Sequence, residues 1–354
     1  MLRTSGTTFI VVFIAGSAGC GAGMSGRGGA TVARNPPAGA TSVAPVLHPA
    51  VQSIPAGDNP HNVLVAGGAI WVADFGGPVR EFDTRGHQLR IVKLDEQSMA
   101  PGPSALWIGV LSNSNTGPQG PLAEVDARTG RVLRRLATRD PVDVLAVGGG
   151  AVWAASRFAR RITRISLPGG AQRTVRLPGT PTAIALGTGS VWVAYGQAGT
   201  SQAVGQPETG SGGVVKLNPT TGRQTAQQTE GAVPTALVVA HGAVWVALPD
   251  DLNDLDRIDE ATGRSVSSAP TVSVGRQPTD LAFANGSVWA LNYSDATVTR
   301  IDPATGRPTA TVAFAAPTNP DRLAANTPIR LAVTRGTLWV TDAEANTLRR
   351  LPDR

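Results

Sequence analysis

The residues able to do covalent or acid–base chemistry are few and scattered. There are four histidines, His48, His61, His87 and His241, and one cysteine, Cys20. A lone thiol closes no internal disulfide, and isolated histidines with a single cysteine make no zinc site. No nucleophile elbow, His-Glu-x-x-His pair or phosphate-cradling glycine loop occurs. Acids gather once, in PDDLNDLD, where Asp250, Asp251, Asp254 and Asp256 offer oxygens to a calcium ion. The spacing and central glycine of a calcium loop are missing, so this stretch reads as a solvated acidic turn and no metal site is expected. What is left is binding chemistry: carboxylates, arginines, amides and a few aromatic plates, whose meaning depends on the elements that carry them.

Those elements are strands. The 354 residues include 42 Gly and 27 Pro, and nothing has the apolar spacing of a long amphipathic helix. The seven tryptophans, Trp71, Trp107, Trp153, Trp192, Trp245, Trp289 and Trp339, each sit in an apolar-Trp-apolar run behind a turn of small residues, as in GGAIWVAD, GGAVWAAS and NGSVWALN. Their spacings are 36, 46, 39, 53, 44 and 50 residues, centred near the ~40–45 of a four-stranded propeller blade. A proline-opened alternating strand precedes most of them (PHNVLVA, PTAIALG, PTDLAFA). A third strand such as ITRIS or VTRID follows, then a turn such as DARTGR or DPATGR, then a fourth strand. In the turn, Asp or Asn folds onto the backbone ahead and glycine takes the positive φ of a tight reversal. Blade two is the weakest, because DEQSMAPGP makes only a degenerate first strand.

The chain stops on a third strand, TLRRLPDR, while Val46–Gly57 resembles a fourth strand with no blade before it. Pairing Val46–Gly57 with Thr347–Leu351 closes an all-β, seven-bladed β-propeller of four-stranded antiparallel blades, with no sheet edge open at the seam. The tryptophans then fill the interfaces between blades.

The amino-terminal part is different. Residues 1–20 hold a positive start and a short apolar run ending at Ser17-Ala18-Gly19-Cys20, a signal peptide whose end resembles a bacterial lipobox despite Ser17 where leucine is usual. Lipidation of Cys20 is expected, with cleavage near Ala22 and secretion as the alternative. Residues 21–45 contain almost nothing to bury and read as a tether, holding residues 46–354 roughly 25–30 Å from the anchor. The expected location is the cell envelope, on the outer face of the cytoplasmic membrane.

Within a blade the strands meander A, B, C, D, so the B–C and D–A connections share one face. Nearly all loop-length variation falls there: SNSNTGPQGP, GQAGTSQAVGQPETGSG, PDDLND and AAPTNPDRLAANTP. Variable polar loops on a rigid ring are the expected ligand face. His61, Asn62, Asp143, Asp280 and Arg330 stand at A-strand starts near the central channel. Asp74, Phe75, Arg157, Phe158, Arg160, Tyr195, Asp250, Asn292, Tyr293 and Asp342 stand at or after B-strand ends. Such a ring suits a polar small molecule, glycan or peptide, or a protein surface.

IDPATGRPTATVAF with GSVWALN resembles the YVTN-type β-propeller repeats, and the pattern from Val46 onward is similar to the bacterial propellers grouped with virginiamycin B lyase. That resemblance implies an alternative function, a Mg²⁺-assisted elimination opening a cyclic depsipeptide, with histidine and glutamate at the centre. Only His61 reaches the ligand face; His48 lies in the N-terminal strand, and His87 and His241 fall in turns on the far face. No glutamate stands beside His61 in the sequence, and Glu208, Glu230 and Glu344 belong to other blades. No acid–base pair is therefore expected, and His61 reads as channel lining. The formal charge of +6 permits anionic partners, yet arginine reads as thinly spread through turns, without the basic, aromatic-interleaved stripe of a nucleic-acid binder. The expectation is a monomeric, surface-tethered binding propeller without cofactor, Mg²⁺ entering only with the lyase alternative.

Overall fold

A computed structural model describes residues 45–111, 122–197, 210–249, 253–266, 271–315 and 330–353. The expected signal peptide with Cys20, the expected tether up to residue 44, Asp250 and Asp251 lie outside these residues. The described chain contains strands and no helix, arranged as seven four-stranded blades. Each A strand touches the A strand of the next blade, and that of blade seven (Leu331–Thr334) touches that of blade one (Pro60–Ala66), so the ring is closed.

The closing segment does two things instead of one. Gln52–Pro55 pairs antiparallel with Thr347–Pro352 as the fourth strand of blade seven, with Gln52 opposite Arg350 and Pro55 opposite Thr347. Val46–Leu47 leaves that sheet and runs parallel to the outer strand of blade six, Val46 opposite Thr311. The expected single strand over Val46–Gly57 is thus corrected to two short ones that clamp neighbouring blades. Pro49 and the residues around it make the change of direction, since proline donates no ladder hydrogen bond.

Blade two also departs from expectation. Glu96–Pro101 is a full A strand, every residue of it buried, and it pairs with Ala105–Val110 through a bulge at Gln97. Blade five is the thin one, with a D strand of only Val272–Ser273.

All seven tryptophans are at most 1 % exposed. Each packs on its successor blade: Trp71 with Met99 and Ile108, Trp192 with Leu237 and Val246, Trp339 with Val63 and Val72. The other face of most rings is covered by a cation. Arg164, Lys216, Arg257, Arg300 and Arg350 lie 5.3–6.0 Å over Trp153, Trp192, Trp245, Trp289 and Trp339, each worth about 0.5–1 kcal/mol where partly exposed. These cations occupy the C-strand position directly across from the tryptophan. Blades one and two put Glu81 and Glu124 there instead, and the D strand supplies the counter-charge through Arg90 and Arg134, the latter 5.4 Å over Trp107.

The C–D turns follow their chemistry. The Asp126 carboxylate accepts the Arg128 and Thr129 N–H groups at 2.9 and 2.7 Å, and Gly130 takes φ +69°. Asp259 and Asp302 repeat the arrangement, and these hydrogen bonds hold all three carboxyls below the usual range.

Candidate functional site

The A strands bring two positions per blade to the channel, at least one of them polar in each blade. Asn62, Ser98, Asp280 and Arg330 stand level with the second residue after the tryptophan on their B strands. His61, Gln97, Asp143, Thr182 and Thr235 come one residue earlier. Most of these groups bond to the next blade. Gln97 donates to Asp143 at 2.6 Å, and Ser98 to the Val142 carbonyl at 2.7 Å. Thr182 and Thr235 donate to the carbonyls of Pro234 and Pro278 at 2.6 and 3.1 Å. Asp280 accepts the Leu331 N–H at 2.8 Å. The channel is therefore girdled by hydrogen bonds that tie blade to blade, each worth about 1 kcal/mol net and more if one partner is left buried and unpaired.

At the seam this belt becomes ionisable. The His61 Nδ1 donates to the Ala73 carbonyl at 3.2 Å, which leaves Nε2 with its lone pair facing Glu96 Oε2 at 3.4 Å. Asn62 donates to the other carboxyl oxygen of Glu96 at 3.3 Å. Both His61 and Glu96 are fully buried. Burial, with the nearby positive charge of Arg330, lowers the His61 pKa to about 3, so the ring is neutral. Burial, with the negative charge of Asp74, raises that of Glu96 to about 8. Near neutral pH the pair is a carboxylic acid beside a neutral imidazole, close but with no hydrogen bond formed between them. Asp280, fully buried, is raised by desolvation to about 7, against the pull of Arg330 and two backbone N–H groups. The Phe75 ring stands edge-on to His61 at 5.3 Å between centroids and covers it from the loop side.

This corrects one expectation: an acid–base pair is assembled. Glu96 sits in the degenerate strand of blade two, at the place that Pro60, Pro181, Pro234 and Pro278 hold elsewhere, eleven residues before the tryptophan. That fixed count was the signal that would have found it. Gln97 is recovered the same way, as the counterpart of His61.

Several other expected ligand-face groups turn inward. Tyr195 is fully buried, and its hydroxyl accepts from Gln227 of the outer strand at 2.8 Å. Asn292, also fully buried, donates to the hydroxyls of Thr297 and Thr299 at 3.0 and 2.9 Å. Tyr293 packs against the core between blades six and seven. Asp74 is bound to Arg80 and Asp342 to Arg349, each across its own B–C turn. Asp143 accepts the Arg157 N–H at 2.8 Å as well as Gln97. These are blade fasteners. Arg330 is half-buried beside the channel, whereas Phe158 projects from the B–C turn of blade three, 85 % exposed.

Glu230, at the end of blade four's outer strand, meets Asp256 of blade five; burial and that neighbouring carboxylate raise its pKa to about 8. Asp254 and Asp256 thus lie in the C strand Asp254–Asp259 of blade five, Asp254 buried and Asp256 beside Glu230, and not in a solvated turn. Among the described residues no three His, Cys, Asp or Glu side chains converge to hold a metal ion. The His61–Glu96 pair has the Arg330 cation as neighbour, which opposes Mg²⁺; the residues present do not fit that ion.

Residues 208–325 match a family described as a repeat of unknown function, DUF6923. No curated protein matches the chain. Among solved structures, the WD40 β-propeller domain of Doa1 superposes with TM-score 0.61 at 12 % identity over 86 % of this chain and 96 % of that one. The Neurospora crassa Pan2 WD40 domain gives 0.61 at 11 % over 84 % and 90 %. A chain of the mitotic checkpoint complex gives 0.65 at 14 % over 93 % and 99 %. At such identities the likeness is one of fold: the chain is a seven-bladed β-propeller.

Proposed function

We propose that this propeller is a binding module that engages a partner through its B–C and D–A loop face and performs no catalysis of its own. The observation carrying the proposal is a contrast in exposure on that one face. His61, Glu96 and Asp280 have no accessible surface, while Phe158 is 85 % exposed. A general acid must reach the proton it transfers; a sealed pair is suited to holding blades together. A rigid ring with exposed turns is suited to recognition, and the propeller fold itself is widely used that way. The export signal and Cys20 support display at a membrane surface, as a lipoprotein of the cell envelope. Intact-mass analysis of protein taken from membranes is expected to show a diacylglycerol adduct that Cys20→Ser abolishes; a soluble form beginning after Ala22 would refute the anchor.

The lyase reading keeps one observation in its favour, the 3.4 Å approach of His61 to Glu96. Incubating the full chain with cyclic depsipeptides, with and without Mg²⁺, separates the two readings. Turnover that His61→Ala abolishes would overturn the binding proposal. The binding reading expects hits on a glycan and peptide array that weaken on changing Arg157 or Phe158 and are indifferent to Arg128 or His241 on the far face.

A further inference from the structure

The charge of this chain is concentrated. Residues 131–180, the outer strand of blade two and all of blade three, hold ten arginines against only Asp140 and Asp143. Their net charge of +8 exceeds the +6 of the whole chain, so the remainder is slightly acidic. The reading of arginine as thinly spread fails here. Inside blade three, Arg161 stands directly opposite Arg176, and Arg164 opposite Arg173. Like charges in cross-strand register destabilise a sheet, a cost set against the Arg161–Asp140 ion pair and the Arg164 contact with Trp153.

The same corner carries the exposed Phe158, in the turn Arg157-Phe158-Ala159-Arg160. Blades six and seven build the equivalent turn from Tyr293-Ser294-Asp295-Ala296 and Ala343-Glu344-Ala345-Asn346. The turn therefore requires neither a large apolar residue at its second position nor a cation at its fourth. Arg160 even holds a left-handed φ of +46°, where Asn346 sits at +55°, and asparagine tolerates that conformation better than arginine. Beside the turn lies a shallow polar cleft lined by Thr138, Ser156 and Thr163, with Arg161 held by Asp140 at 2.9 Å.

From this convergence we propose that the blade-three corner, Arg139, Arg157, Phe158, Arg160 and Arg176 around that cleft, binds an acidic polypeptide segment that also carries apolar side chains. The proposal rests on the binding reading above and names its partner. Guanidinium forks match carboxylates in pairs, and arginine with an exposed aromatic is the composition of interface hot spots. The cleft's hydroxyls are engaged within the chain, Thr138 with the Asp140 carbonyl and Thr163 with Thr174, so recognition falls to the guanidinium groups and Phe158. A single aromatic provides no succession of stacking plates for a nucleic-acid strand.

The test uses the full chain and a labelled twelve-residue peptide of alternating Glu and Leu. An all-Glu peptide, a twelve-nucleotide oligo-dT and phosphatidylglycerol vesicles serve as comparisons. Saturable binding of the Glu/Leu peptide is expected, weakened by salt, and reduced about tenfold or more by Phe158→Ser and by Arg160→Asn, with unchanged melting temperatures. These substitutions copy the sibling turns, so folding is preserved. Preference for oligo-dT, for vesicles or for the all-Glu peptide would overturn the assignment. So would peptide binding that neither substitution alters; binding that maps elsewhere on the loop face would leave the broader reading standing.

Discussion

Replacing Glu96 by Gln tests whether the seam is held by a neutral acid or by an ion pair. The folded pKa of Glu96, about 8, lies above its ordinary value. Between the two, the folded protein keeps a proton that the unfolded chain has released, so stability is fullest below the ordinary pKa and falls as pH rises through 8. His61 has the opposite sign: its folded pKa of about 3 is depressed from 6.5, so its contribution is present above 6.5 and lost as pH falls toward 3. The two slopes oppose each other in mildly acid solution, and above pH 6.5 the Glu96 slope runs on without that opposition. One site contributes up to about 1.4 kcal/mol per pH unit, so raising pH from ~6.5 to ~8 costs the native protein about 1–2 kcal/mol at Glu96. Glutamine copies the protonated acid: its oxygen accepts from Asn62 and its N–H₂ faces His61 Nε2. Urea unfolding, followed by fluorescence of the buried tryptophans, is expected to show Glu96→Gln more stable than the native protein by about 2 kcal/mol at pH 6, where the unfolded chain has already released the Glu96 proton. At pH 8.5 that margin should be wider by a further ~2 kcal/mol. An ionised Glu96 paired with imidazolium predicts the reverse, a loss of several kcal/mol at both pH values on removing one partner; that result would refute the reasoning.

Other outcomes follow from the same packing. Starting the chain at Asp58 removes both clamps, and should lower the melting temperature and promote self-association through the opened edges of blades six and seven; unchanged melting and a monomeric sedimentation profile would contradict the closure. Trp192→Ala or Trp289→Ala should cost about 3–5 kcal/mol by urea titration, and lost binding at unchanged stability would count against a structural role. Arg257→Met, which keeps most of the stem but removes the cation over Trp245, should cost about 0.5–1 kcal/mol, and a larger loss at low salt than at high salt would show that more than this contact is involved.

Much of the ring was legible because the repeat has period and chemistry at once. A tryptophan behind a small-residue turn marks the B strand, and Asp-x-x-Thr-Gly marks the C–D turn, as at Asp302–Gly306. The seam was legible only in outline, since a two-residue parallel pairing such as Val46–Leu47 leaves no periodic trace. The site was harder. Local reading puts Tyr195 at the end of a strand on the loop face, but the Gly213 opposite it leaves room for the ring to lie inside the blade, where its hydroxyl meets Gln227. Glu96 was hidden by its composition: Glu-Gln-Ser-Met-Ala-Pro has little β-propensity, and its strand is formed by packing between two neighbours that do.

Why the ionisable cluster lies at the seam has a physical answer. Apolar A strands such as Ala183–Ala185 and Ala236–Val238 join their blades through close packing and single hydroxyl-to-carbonyl bonds. Blades one, two, six and seven meet where the two chain ends come together, and there the interior holds His61, Glu96, Asp280 and Arg330. Buried polar groups discriminate strongly against misregistered pairing, because a shift of one residue leaves several of them unpaired at about 1–3 kcal/mol each. An all-apolar seam would close equally well in several registers. The cluster therefore favours one register of closure.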